Sequence, residues 1–135
     1  ATMKDEINQR VKFREEFRPF APTVLEEEAS AIFEMEYPSP FMTVTFRVRP
    51  GWNSQLAAIT HIDGTARPQI VYKKNAKKFW KLIKEFKKLT GVGLLLNTSF
   101  NVKGEPIVNS PKDAINCFLS SGLDYLILDD FLIAK

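Results

Sequence analysis

Apolar and polar side chains alternate most cleanly at Thr43–Arg49. Val44, Phe46 and Val48 share one face there, and Thr43, Thr45, Arg47 and Arg49 the other, the period-two signature of a half-buried strand. Two further extended runs, Leu56–Ile62 and Thr65–Tyr72, flank Asp63-Gly64, a dipeptide suited to a tight hairpin turn. From Asn75 to about Leu89 the period becomes helical, with Phe79, Leu82, Ile83 and Phe86 on one side, Asn75 as a candidate cap and Gly91 as a candidate stop. Val92–Leu96 is apolar on both faces, which predicts a central strand. Ser110-Pro111 with Asp113 predicts the start of a second helix that directs Ile115, Phe118 and Leu119 inward and ends at Gly122. Asp124–Leu128 and Phe131–Ala134 close the chain as strands. Nearer the start, Met3–Val11 and Leu25–Phe33 predict short helices, while Pro19 and Pro22 between them impose extended or turn geometry. Helices and strands alternate, so the fold class is α/β with a mixed sheet.

Size and composition narrow this further. A chain of 135 residues that is 44% hydrophobic suffices for one core and is short for two, which predicts a single domain over residues 1–135. The net charge of +3 admits an anionic ligand without requiring nucleic acid. Cys117 is the sole cysteine, so no internal disulfide forms, and a cytoplasmic location is expected. No apolar run approaches the roughly 20 residues of a membrane span, so no membrane partner is expected. One histidine and one cysteine do not make a zinc site, and no Walker-type phosphate loop is present. Any anion site must therefore be assembled from basic side chains and polar turns.

Three stretches carry such groups. Lys12 and Arg14 stand two apart, so on an extended segment both point the same way. They serve either as an anion clamp or as a surface ion-pair cluster with Glu15 and Glu16. Asn97, Thr98, Ser99 and Asn101 follow an apolar strand. Their hydroxyls and amides suit phosphate oxygens, and equally suit a strand end whose turn is fixed by Gly104 at positive φ. Arg67, just past the Asp63-Gly64 turn, offers a guanidinium fork for phosphate or carboxylate. His61 reads as a hydrogen-bonded structural residue. A lysine stripe (Lys73, Lys74, Lys77, Lys78, Lys81, Lys84, Lys87 and Lys88) is either a solvated helix face or a surface for RNA backbone.

Val11-Lys12-Phe13-Arg14-Glu15 with Phe17–Pro22, then His61–Arg67, then Asn97–Pro106 with Ser110–Ala114, closely resemble the C-terminal domain of bacterial O-carbamoyltransferases, which modify antibiotics and nodulation factors. The likeness covers nearly the whole chain, and three motifs in the right order are far more specific than any one. It implies a YrdC-like fold with a twisted mixed β-sheet flanked by helices. That fold belongs to synthases that surround ATP with a Lys-x-Arg pair and a Ser-x-Asn pair, matched here by Lys12 and Arg14, then Ser99 and Asn101. The resemblance further implies that the domain takes ATP, with Mg2+, and carbamoyl phosphate, forms carbamoyl adenylate and releases pyrophosphate. Lys12, Arg67 and Ser99 would carry the catalysis, and Lys12, Arg14, Arg67, Thr98, Ser99 and Asn101 would hold the nucleotide, with no protein metal ligand. A separate upstream domain would pass the carbamoyl group to an acceptor hydroxyl, so the start at Ala1 is read as a cut in a longer polypeptide. The rival expectation is a non-catalytic RNA-binding module that uses the lysine helix.

Overall fold

A computed structural model describes residues 2–13, 15 and 20–135. In chain order the elements are α1 (Thr2–Ile7), a π turn (Asn8–Lys12), β1 (Ala21–Leu25), α2 (Glu26–Ile32), β2 (Phe46–Arg47), a 3-10 turn (Pro50–Trp52), β3 (Thr65–Ala66), β4 (Gln69–Val71), α3 (Lys77–Thr90), β5 (Leu94–Asn97), α4 (Pro111–Ser120), β6 (Tyr125–Leu128) and β7 (Phe131–Ala134). They fall into two compact units, one made of Ala1–Arg18 with Ser99–Lys135 and the other of Pro19–Thr98. The α/β class with a mixed sheet is what the alternating pattern predicts.

In the unit Pro19–Thr98 the main sheet has the order β4-β1-β5, with β1 parallel to β4 and antiparallel to β5. The central strand is therefore β1, and β5 lies at an edge with Leu95 and Leu96 half-buried. Two residues disguise β1 in the sequence. Thr23 is fully buried, and its hydroxyl donates to Gln69 Oε1 at 3.3 Å. Pro22 pairs only with Leu96, because the ladder to β4 starts one residue later at Thr23.

α3 packs on this sheet through Ile83, which meets Leu25 and Val71, with Phe79, Trp80 and Leu95 around them. Gly91 stops the helix at φ 80° as expected, but Asn75 does not cap it: Ala76 holds the N-cap position without a side-chain hydrogen bond. Part of the lysine stripe ties α3 to α2. Lys84 pairs with Glu27 at 2.9 Å and Lys87 with Glu28 at 2.5 Å, while Trp80 Nε1 donates to Glu27 Oε2 at 3.0 Å.

The strand expected at Leu56–Ile62 is instead a run of turns. Leu56 N–H donates to the Trp52 carbonyl and Ile59 N–H to the Leu56 carbonyl, so buried Leu56 and Ile59 follow a turn spacing of three, and Ile62 points into solvent. The Asp63-Gly64 turn survives, with Gly64 at φ 78° and Asp63 Oδ1 accepting from the Thr65 N–H and hydroxyl. β3 pairs across to β2, placing Phe46 opposite Ala66, and Arg67-Pro68 separates β3 from β4. The alternation of Thr43–Arg49 holds in burial, since Phe46 and Val48 are buried while Arg47 and Arg49 are exposed.

In the other unit, Ser110 caps α4 by accepting from Asp113 N–H at 3.2 Å, with Pro111 at the first helical position. The buried stripe of α4 is Ala114, Cys117 and Phe118, continuing to Ser121. Ile115 and Leu119 are exposed, contrary to expectation, because two small residues occupy the inward positions. Gly122 lies where α4 meets the π turn: its N–H donates to the Arg10 carbonyl at 2.8 Å, and a Cβ there would stand 2.6 Å from that oxygen. β6 and β7 form an antiparallel hairpin. Among the described residues, no helix is long and apolar enough to cross a membrane.

Candidate functional site

Within the unit Ala1–Arg18 with Ser99–Lys135, a loop that follows β5 in the chain wraps around one ammonium group. Lys12 is the last residue of the π turn, a helix variant common at functional positions. Its side chain is 6% exposed, and Nζ donates to Asn101 Oδ1 at 2.7 Å, Asn101 O at 2.8 Å, Ser99 O at 3.0 Å and Ser99 Oγ at 3.2 Å. Three protons shared among four oxygens bind both ends of Ser99-Phe100-Asn101 to one point.

The polar groups of this loop are ordered among themselves. Ser99 Oγ donates to Asn101 Oδ1 at 2.7 Å, and Asn101 Nδ2 donates to the Glu105 carbonyl at 2.8 Å. The two ends of the Asn101 amide are thereby distinguished, its oxygen facing an ammonium that only donates and its nitrogen facing a carbonyl that only accepts. Gly104, at φ 86°, turns the chain between Asn101 and Glu105 in the left-handed conformation open to glycine.

Phe13 follows Lys12 at φ 49°. Its N–H donates back to the Asn8 carbonyl, ending the π turn in the left-handed region. A bulky residue held there typically costs about 1–3 kcal/mol, a strain found most often at ligand and catalytic sites. The extended geometry expected at Lys12 is thus replaced by a helical end and a reversal.

The loop borders a recess of about 270 Å³ lined by Lys12, Glu15, Ser99, Asn101, Val102, Lys103 and Gly104. The exposed Lys103 ammonium can meet an anion there, as can the Ser99 hydroxyl once its one proton turns from Asn101 Oδ1 to the anion. Lys103 sits inside the Asn97–Pro106 motif, and only its place on this recess identifies it as a candidate ligand. A second recess of about 580 Å³ is lined by Glu105, Pro106, Ile107, Val108, Asn109, Asp113, Asn116, Cys117 and Ser120. Burial pushes the Cys117 thiol above the usual range, and Glu105 adds to this while Lys12 opposes it.

The remaining expected groups are not part of this unit. Arg67 is exposed, after β3 in the unit Pro19–Thr98. Thr98, also exposed, is the last residue of that unit, and Asn97 Nδ2 donates to Gln69 Oε1 at 3.1 Å within its sheet. His61 belongs to the same unit, its Nδ1 lying 3.2 Å from Thr65 Oγ1, so it is a turn residue. Arg14 and Arg18 lie outside the described residues, as does Glu16. Among the described residues, no three His, Cys, Asp or Glu side chains gather into a group able to hold a metal ion.

The family model described as carbamoyltransferase C-terminus matches residues 1–135. The chain is 50% identical over 138 residues to the nodulation protein NolO of Bradyrhizobium diazoefficiens, covering all of this chain and 25% of that protein. It is 49% identical over 138 residues to the nodulation protein NolNO of Sinorhizobium fredii, covering all of this chain and 20% of that one. An uncharacterized protein of Synechocystis is 42% identical over 154 residues, which cover 99% of this chain and 25% of the relative. The chain thus spans about a quarter of the length of the curated relatives it matches.

Proposed function

The chain belongs to the carbamoyltransferase C-terminus family, and on that premise we propose that it forms carbamoyl adenylate from ATP and carbamoyl phosphate within a larger O-carbamoyltransferase. In this reading water first releases carbamate and inorganic phosphate from carbamoyl phosphate. A carbamate oxygen then attacks the α-phosphorus of ATP, the bond from that phosphorus to the bridging oxygen breaks, and pyrophosphate leaves. The preceding part of the polypeptide passes the carbamoyl group to an acceptor hydroxyl and frees AMP.

The observation that supports this reading is the convergence on one recess of Lys12 with Ser99 and Asn101, 87 and 89 residues later in the chain. Adenylation asks for positioning and for positive charge near oxygens that become more negative, and both act best when fixed in advance. Lys12 supplies a buried positive core to the loop. Asn101 has both ends of its amide engaged and so acts by holding Ser99 in place. Lys103 takes phosphate oxygens directly, and Ser99 does so as its one proton turns from Asn101 Oδ1 to the phosphate, with Arg14 as a further phosphate contact. Magnesium enters with ATP, held by phosphate oxygens and water.

The test is carbamoyl-phosphate-dependent exchange of pyrophosphate into ATP by the full-length enzyme, beside calorimetric titration of the 135-residue chain with a non-hydrolysable ATP analogue. Ser99→Ala should lower exchange about 100-fold or more, the usual cost of losing one fixed donor to a developing charge, with the circular dichroism melt preserved. Unchanged exchange in both Ser99→Ala and Lys12→Ala removes the proposed site.

A further inference from the structure

The hairpin β6–β7 reads Tyr-Leu-Ile-Leu and Phe-Leu-Ile-Ala, eight strand positions without one charged or amide side chain. A hairpin with one solvated face alternates polar and apolar residues, whereas a continuous apolar run belongs to strands covered on both sides. The register pairs Tyr125 with Ala134, Leu126 with Ile133 and Ile127 with Leu132. Leu126, Leu128, Phe131 and Ile133 therefore share one face, and Tyr125, Ile127, Leu132 and Ala134 share the other. The first face meets α4 through β6, where Leu126 is 6% exposed, and only its turn end, at Phe131, is open at 73%. On the second, Tyr125, Ile127 and Leu132 are 66%, 65% and 69% exposed.

We propose that this second face is the docking surface for the part of the polypeptide that precedes the domain in full-length members of the family. The matched region is 25% of NolO and 20% of NolNO, and the family is defined as a C-terminus, so most of each relative lies N-terminal to this domain. A covalently attached neighbour reaches an effective concentration in roughly the millimolar range, and so fills an apolar face ahead of a second copy. Size favours the same occupant. Four side chains cover a few hundred Å², below the roughly 800 Å² per partner of a stable free complex, while a tethered neighbour needs less.

Hydroxyl-radical footprinting with mass spectrometry tests this on the 135-residue chain and on a full-length polypeptide carrying it. Tyr125, Ile127 and Leu132 should oxidise several-fold more slowly in the full-length protein, with exposed Ile62 unchanged as the reference. Equal rates in the two proteins overturn the proposal. So does slow oxidation in the 135-residue chain: protection that grows with concentration assigns the face to a second copy, and protection that does not shows the face already covered. In the full-length protein Ile127→Asp with Leu132→Asp should restore fast oxidation of Tyr125 and speed protease cleavage between the domain and what precedes it. The same double variant should leave the melting temperature of the 135-residue chain within a few degrees. Unaltered oxidation and cleavage in the full-length variant also overturn the proposal.

Discussion

Lys12 Nζ lies 2.7 Å from Asn101 Oδ1, joining the end of the N-terminal π turn to a loop 89 residues later in the chain. Both residues also bond Ser99, so a change at any of the three is felt by the other two.

Asn101→Leu removes the acceptor shared by Lys12 and Ser99 and the donor to the Glu105 carbonyl, leaving a buried cation short of one partner. Stability should fall by about 2–3 kcal/mol, the combined effect of several ordinary hydrogen bonds and one imperfectly satisfied group. Ser99→Ala, at an exposed position, should cost about 1 kcal/mol or less. Urea unfolding of the two variants side by side measures the difference. Equal loss in both would mean that the amide is not the centre of the network.

Gly122→Ala tests how closely α4 approaches the N-terminal segment. The new methyl would stand 2.6 Å from the Arg10 carbonyl oxygen and 2.8 Å from its Cβ, both too close for ordinary contact. The backbone must shift, at a cost of about 1–3 kcal/mol, and the hydrogen bond from Gly122 N–H to Arg10 weakens with it. Gly51→Ala is the control, since nothing lies within 4 Å of its Cβ position. Thermal melts should separate the two substitutions by several degrees.

These relationships differ in how visible they are before folding. The Ser110 cap, the Gly91 stop and the Asp63-Gly64 turn rest on neighbours a few residues away, so local spacing reveals them. Lys12 and the Ser99–Asn101 pair stood out as polar groups of the right types, but their meeting depends on how distant segments pack, and no local pattern encodes that. Two errors have one cause. Thr23 and Pro22 hid the central strand, and Ala114 with Cys117 hid the inner face of α4, because burial there is carried by small or polar side chains that hydrophobic periodicity underweights. Lys103 escaped notice for the opposite reason: a lysine in a polar loop is ordinary until the recess beside it is known.

The Ser110 hydroxyl holds the Asp113 carboxyl below its usual range, opposed by slight desolvation and helped by the Asn109 N–H. A carboxyl whose folded pKa lies below its unfolded value adds stability above the unfolded value, and that stability is lost as pH falls through the folded one. Wild type should therefore be more stable than Asp113→Ala at neutral pH, with the gap narrowing as pH drops through and below the ordinary aspartate range. Ser110→Ala should cost about 1 kcal/mol through loss of the N-cap and should flatten the pH dependence. Unfolding midpoints of the three proteins from pH 7 down to pH 3 decide this; a gap that widens toward acid contradicts the assignment.

The Cys117 thiol offers a reading of the loop's integrity without any ligand. It is 4% exposed on the inner stripe of α4, and burial is the first cause of its raised pKa, followed by the negative charge of Glu105. The thiolate is the reactive form, so both access and ionisation are suppressed in the folded chain. Labelling with a disulfide reagent at neutral pH should be at least 100-fold slower in the native protein than in urea, and its rate should follow the free energy of the opening that exposes the thiol. Asn101→Leu loosens the loop that carries Glu105 and holds Lys12, both of which act electrostatically on this thiol, so it should speed native labelling in proportion to its loss of stability if opening is global. A larger acceleration would mean that the loop opens by itself, uncovering Cys117 while the rest of the domain stays folded. Rapid labelling of the wild-type native chain would contradict the buried position of Cys117 and the packing of α4 derived from it.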